Sequence, residues 1–113
     1  MQLWEILVPT VRPDGRPIRT RYHRVWDAKV RAIAGGLTIL TAAKGQWVAP
    51  DGTLFSERMI PVRIACSRKQ MDDIADFTAS HYEQLAIFYY MVSNEVHIKH
   101  YDTQHPSRRV SAD

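Results

Sequence analysis

The stretch from Lys44 to Cys66 constrains the fold more than any other part of the chain. Pro50-Asp51-Gly52 combines a fixed φ, a side-chain acceptor and a residue free to take positive φ, the chemistry of a tight reversal. Trp47 and Val48 precede the reversal and Leu54 and Phe55 follow it, all β-favouring types. The stretch therefore reads as a long β-hairpin. Pro61 has no N–H to give a sheet ladder, so the tip up to Ile60 is expected to project as an arm, with the sheet resuming at Val62. An arm carrying Trp47, Phe55 and Glu57 suits an oligomer clasp or the wall of a binding site.

Around this hairpin the order of elements is legible. Leu3 to Val8 alternates, with Trp4, Ile6 and Val8 on one face and Leu3, Glu5 and Leu7 on the other, both faces mainly apolar. Such a strand is covered by helices on one side and by something else, such as a second subunit, on the other. Pro9 to Thr20, with three prolines and Asp14-Gly15, reads as a loop. Thr20 is placed to cap a helix whose Tyr22, Val25, Trp26, Val30 and Ile33 follow helical spacing. Gly35-Gly36 ends that helix. Leu37 to Thr41 is a β-type run that leads into the hairpin. Ser67 and Gln70 form a capping box for a second helix, from Arg68 to about Tyr82, burying Met71, Ile74, Ala75, Thr78 and Tyr82 along one stripe. Leu85 to Val92 and Val96 to Tyr101 are read as two further strands, separated by Ser93-Asn94-Glu95.

The chain thus reads as α+β, a ferredoxin-like βαββαβ sandwich with a projecting hairpin between the second and third strands and an extra C-terminal strand. A single domain over residues 1–101 is expected, with a flexible tail over 102–113. Both helices of this architecture pack on one sheet face, and the apolar character of the other, with Leu3 and Leu7, predicts a homo-oligomer, a dimer or a ring of three.

Composition narrows the function. No apolar run approaches the roughly 20 residues of a membrane span, and Leu3 to Val8 is too short for a signal-peptide core, so a cytoplasmic protein without membrane partners is expected. The one cysteine, Cys66, excludes an internal disulfide and gives no zinc spacing. His97 and His100, three apart on a strand, point to opposite faces, so no metal is expected. There is no phosphate-binding loop and no dinucleotide fingerprint, and Ser56 has no triad partners. The net charge is +3 and the pI about 9.2. Arg12, Arg16, Arg19, Arg21, Arg24, Lys29 and Arg31 crowd one segment against only Asp14 and Asp27. That segment could meet a phosphate or nucleic acid, but a solvated loop and helix face accounts for it, and nucleic acid is not an expected partner.

The residues that stand out chemically are Glu57 on the arm, and Glu83 with Gln84 where the second helix gives way to the next strand. Strand-end junctions beside an oligomer interface make natural ligand clefts. Tyr82, Tyr89, Tyr90, Phe55 and Trp47 could supply a stacking surface, although core and interface packing is the more usual role of such aromatic residues. Glu57 could also be an exposed residue paired with Arg58 or Arg63. Glu5, a carboxylate in an apolar strand, needs water or an arginine partner.

With these elements in view, the arm between the second and third strands and the strand after the fourth resemble the trimeric ferredoxin-like proteins of the PII and CutA type. In that superfamily small ligands, often adenine nucleotides, lie in clefts between subunits. Val62-Arg-Ile-Ala-Cys66, the following helix, and Tyr82-Glu-Gln84 running into an aromatic-rich strand, with Glu57 upstream, are similar to phage-encoded enzymes that degrade S-adenosylmethionine. The resemblance implies a small adenosyl-type ligand and no cofactor. It implies that the substrate's own carboxylate expels methylthioadenosine and leaves homoserine lactone, or that Glu57 activates a water. Glu57 would be the catalytic carboxylate, and Gln84, Glu83, Tyr82, Tyr89, Trp47, Phe55 and Arg63 would line the ligand. A non-catalytic nucleotide-binding module with Arg63 near phosphates, and an α+β oligomer of other role, remain open alternatives.

Overall fold

The computed structural model describes residues 1–102. The tail expected over 102–113 lies, from residue 103, outside the described residues. Strand β1 (Gln2–Pro9) leads to helix α1 (Thr20–Ala34), then β2 (Thr38–Ile39), β3 (Ala43–Val48), β4 (Leu54–Cys66), helix α2 (Arg68–His81) and β5 (Tyr89–Ser93). The sheet is antiparallel in the order β2-β4-β1-β5, with β3 continuing the β4 edge beyond β2. This is the expected ferredoxin-like order, with the second strand split in two. No helix among the described residues is long and apolar enough to cross a membrane.

Register decides which side chains face the helices. Trp4 pairs with Ile64 and Ile6 with Val62, and all four are buried together with Val8 and Cys66. Against them pack Trp26 and Val30 of α1 and Met71 and Ile74 of α2. The amphipathic spacing of both helices thus buries one stripe each on one sheet face, although Val25, expected in the α1 stripe, is 56% exposed. Burial pushes the Cys66 thiol up from its ordinary value, which keeps it a packing residue and not a nucleophile.

Polar groups in the seam between the helices are satisfied in pairs. Trp26 Nε1 donates to Thr78 Oγ1 at 2.9 Å, and that hydroxyl donates to the Ile74 carbonyl at 2.6 Å. Burial lowers the His23 pKa, so the neutral ring can accept at Nδ1 from the Tyr82 hydroxyl, 2.7 Å away, whose own pKa burial raises. His81 Nε2 donates to the Tyr22 carbonyl at 2.7 Å.

The helix ends follow local chemistry. Ser67 and Gln70 make the expected reciprocal capping box, and Gly35 adopts φ 88° to close α1. Thr20 is not the cap of α1. The capping position is Arg19, whose side chain makes no capping hydrogen bond.

Two expectations about strands are corrected. β4 runs unbroken through Pro61. Leu7 sends its N–H to the Phe88 carbonyl, so its pairing with Pro61 is a position where β1 and β4 exchange no hydrogen bond. The missing proline donor therefore costs that ladder nothing, and the arm is the continuation of β4 beyond the end of β1, at Met59. The extra C-terminal strand over Val96–Tyr101 does not form. After the Ser93–Glu95 turn, Ile98 instead borders a hollow with Leu3, Leu37 and Ala65, so this segment meets the open sheet face instead of extending the ladder.

Candidate functional site: the open sheet face and the arm

The arm is built as its sequence dictates. Val48 pairs with Leu54 across a short loop in which Gly52 takes φ 88° and Asp51 accepts from the Thr53 N–H at 2.9 Å. Trp47 and Phe55 are directly opposed and their rings stack, with centroids 5.5 Å apart and planes 16° from parallel. At its base, Thr10 Oγ1 donates to the Arg58 carbonyl at 2.8 Å.

Strand alternation puts Phe55, Glu57, Met59, Pro61, Arg63 and Ala65 on the same side of β4, the side away from the helices. Trp47 and Gly45 share that side of β3, and Leu3, Glu5 and Leu7 share it on β1. A Cβ at Gly45 would collide with the end of the Met59 side chain. Glycine there lets Met59 lie across β3.

Glu57 borders a groove of about 500 Å³ between the arm and the chain leading into β5, walled by Leu7, Trp47, Met59, Ile87 and Phe88. A smaller hollow of about 80 Å³ continues it to Gln84 and Pro9, again with Glu57 on its rim. Glu57 also edges a hollow of about 590 Å³ with Lys44, Ser56 and Thr10. Among the described residues Glu57 makes no ion pair. Arg58 points to the other side of the strand, and Arg63 is engaged elsewhere.

Of the residues singled out in the sequence, Glu57 and Trp47 line this groove with Phe55 beside Trp47, whereas Gln84 borders only the smaller adjoining hollow, with its Nε2 donating to the Tyr82 carbonyl at 3.2 Å. The others are dispersed. Tyr82 is fully buried between the helices, so it offers no stacking face. Tyr89 sits on the helix side, near Trp4, with its hydroxyl 3.4 Å from Asp72. Glu83 adopts a left-handed φ of 55° and turns toward Arg12, 3.9 Å away. Arg63 donates from Nε to Glu5 at 3.0 Å.

Glu5 is 7% exposed in the middle of the open face. The Tyr90 hydroxyl makes a close hydrogen bond to its second oxygen. That bond, then the Arg63 hydrogen bond and charge, hold its pKa below the ordinary 4.5 against the opposing effect of burial. Its ionised form is thus preferred in the folded chain, a contribution present above about pH 4.5 and lost as the pH falls through the lower folded value. The melting temperature is expected to drop on acidification below pH 4.5, with part of that dependence missing in Glu5→Gln. At neutral pH the same substitution is expected to cost about 1–2 kcal/mol, allowing for the partly exposed arginine.

The sequence reading missed Tyr90 as the second partner of Glu5, and Met59, Ile87 and Phe88 as groove walls. Alternation along β4 would have found Met59, two residues from Glu57. Ile87 and Phe88 fall where a strand was expected from Leu85, but β5 begins only at Tyr89, so alternation could not place them.

Neither a protein-family model nor a curated protein sequence matches the chain. Solved structures do. A phage SAM lyase in complex with S-methyl-5'-thioadenosine superimposes with a TM-score of 0.61 at 13% identity, over 80% of this chain and 79% of that one. The periplasmic divalent cation tolerance protein CutA from Archaeoglobus fulgidus gives 0.60 at 11% identity, over 87% of each chain. CutA1 from Oryza sativa gives 0.60 at 10% identity, over 91% of this chain and 84% of that one. The chain therefore has the ferredoxin-like α+β fold of the PII and CutA type, shared by CutA proteins and phage SAM lyase.

Proposed function

We propose that the groove between the arm and the α2–β5 connection binds S-adenosylmethionine and promotes its cleavage to methylthioadenosine and homoserine lactone. The observation that carries this reading is that Glu57, a carboxylate with no ion pair among the described residues, stands on the rim of both the groove walled by Trp47 and the adjoining hollow bordered by Gln84. The likeness to a phage SAM lyase holding methylthioadenosine supports it.

In the reaction a carboxylate oxygen of the substrate attacks its own γ-carbon. The carbon–sulfur bond breaks, its electron pair passes to sulfur, and the positive sulfonium becomes a neutral thioether. Because opposite charges collapse in this step, removing water from around them favours it. No nucleophile from the protein is consumed. The protein's task is to fold the substrate so that oxygen and carbon meet at a reactive distance. Trp47 and Phe55 supply a flat apolar face for adenine, Glu57 receives the ammonium group or ribose hydroxyls, and Gln84 gives directional hydrogen bonds.

A groove so open excludes little water, and we propose that another copy of the chain closes it. Phe88, Tyr90, Val92 and Trp47 are all more than a third exposed, and covering the apolar area they still present contributes about 25 cal/mol per Å². In a ring of three, an arm that reaches its neighbour also walls the cleft between them. Light scattering is expected to give three times the 13.0 kDa chain mass; a monomer would contradict the closure.

The binding half of the proposal is tested by thermal shift. S-adenosylmethionine and methylthioadenosine should each raise the melting temperature of the parent chain, because a ligand of the folded state alone stabilises it, and Trp47→Ala should weaken both responses. Absence of any response would remove the reading. An ATP response abolished by Trp47→Ala would assign the groove instead to a nucleotide-binding module.

A further inference from the structure

The arginines between residues 12 and 21 take no part in the groove. The loop that carries them is tied down by its own backbone. The Arg12 N–H bonds the Arg16 carbonyl at 2.8 Å, the Gly15 N–H returns to Arg12 at 2.8 Å, and the Ile18 N–H reaches Thr10 at 2.9 Å. Val11 and Pro17 form a bridge, and the Ile18 side chain anchors the loop in the core. This fixed loop and the start of α1 set Arg12, Arg16, Arg19 and Arg21 around one cleft of about 550 Å³, completed by Pro17 and Tyr22.

Two of the four guanidinium groups are held by the same ring, Arg12 at 4.6 Å and Arg21 at 5.3 Å from the Tyr22 centroid. Carboxylates offset only part of the charge. Asp14 pairs with Arg16 at 2.7 Å and Glu83 lies 3.9 Å from Arg12. Arg19 and Arg21 have no carboxylate within ion-pair distance among the described residues, so four positive charges meet two negative ones. The first turn of α1 contains no acidic residue and its cap makes no side-chain hydrogen bond, so backbone N–H groups beside the cleft add to the same field.

We propose that this cleft binds a compact polyphosphate, the di- or triphosphate group of an inorganic or small organic molecule, with Arg19 and Arg21 as direct ligands. Guanidinium forks match phosphate oxygens in pairs. A multivalent anion is needed because a single charge gains little in so open a site. A nucleic-acid track is not favoured. The basic residues further along α1 turn away from the cleft, with Lys29 lying 5.7 Å over the Phe77 ring of α2, and the Tyr22 ring is occupied by guanidinium groups where a base would stack.

The test is a titration of the full chain with inorganic tripolyphosphate by calorimetry, at about 0.1 M salt where long-range attraction is screened. The expected result is saturable binding of one anion per chain, weakening as salt is raised. Arg19→Gln/Arg21→Gln, which removes no ion pair of the fold, should bind at least tenfold more weakly with an unchanged circular dichroism spectrum. A nucleoside triphosphate run in parallel distinguishes the source: equal affinity assigns recognition to the phosphates alone, and tighter binding adds an organic portion. Equal binding by parent and double variant, or no binding by the parent, would overturn the proposal. So would an oligothymidylate that binds without competition from tripolyphosphate. The groove is not involved, so these outcomes are independent of S-adenosylmethionine turnover.

Discussion

Glu57→Gln is expected to slow methylthioadenosine release from S-adenosylmethionine at least about a hundredfold, the scale on which loss of a positioning contact acts. The substitution keeps shape and removes charge. Because Glu57 is half-buried and makes no ion pair among the described residues, the fold should lose no more than about 0.5 kcal/mol. Loss of turnover with unchanged melting temperature and oligomer size would thus isolate a role in the groove. Glu57→Asp, with the carboxylate drawn back by one methylene, should fall between parent and Gln. Retained activity in Glu57→Gln would remove Glu57 from the mechanism. Glu5 would then be the next carboxylate on the same face, although its bonds to Arg63 and Tyr90 already occupy both oxygens.

Trp26→Ala is expected to be the most damaging single change to the fold. Trp26 is 1% exposed at the centre of the helix-to-sheet core and is fastened to α2 through Thr78. Its removal should cost about 3–5 kcal/mol in lost burial and cavity formation, enough to unfold much of a marginally stable population. Trp26→Phe separates the two contributions. It keeps most of the apolar volume and loses the indole donor, and the Thr78 hydroxyl still donates to the Ile74 carbonyl, so the expected cost is nearer 1 kcal/mol plus a small void. Chemical denaturation of the two variants checks both figures. Equal midpoints for Trp26→Ala and the parent would mean that the helix layer is not packed as described.

The fold was legible because its determinants are local. Alternation in β1, the helical stripes, the Ser67–Gln70 box and the Pro50-Asp51-Gly52 reversal each act within a few residues, and each formed, with Val25 of the α1 stripe left exposed. Pro61 misled because whether a proline breaks a ladder depends on which edge its nitrogen faces, and that is set by the register with Leu7. Val96–Tyr101 has strand composition, yet strand formation is decided by an available partner edge, which no local pattern reports. The site was only partly legible. Glu57 borders the groove with Trp47 and the adjoining hollow with Gln84, but Tyr82 and Tyr89 lie on the opposite side of the sheet. One ends the buried stripe of α2 and the other lies on the helix side of β5.

The central claim is that this chain cleaves S-adenosylmethionine in a groove walled by its arm. The most direct measurement is incubation of the purified full chain with S-adenosylmethionine, followed by mass-spectrometric detection of products. Methylthioadenosine and homoserine lactone should accumulate in equal amounts, above the spontaneous rate and in proportion to protein added. Substrate that decays no faster than in buffer, with no methylthioadenosine above the spontaneous level, would contradict the claim.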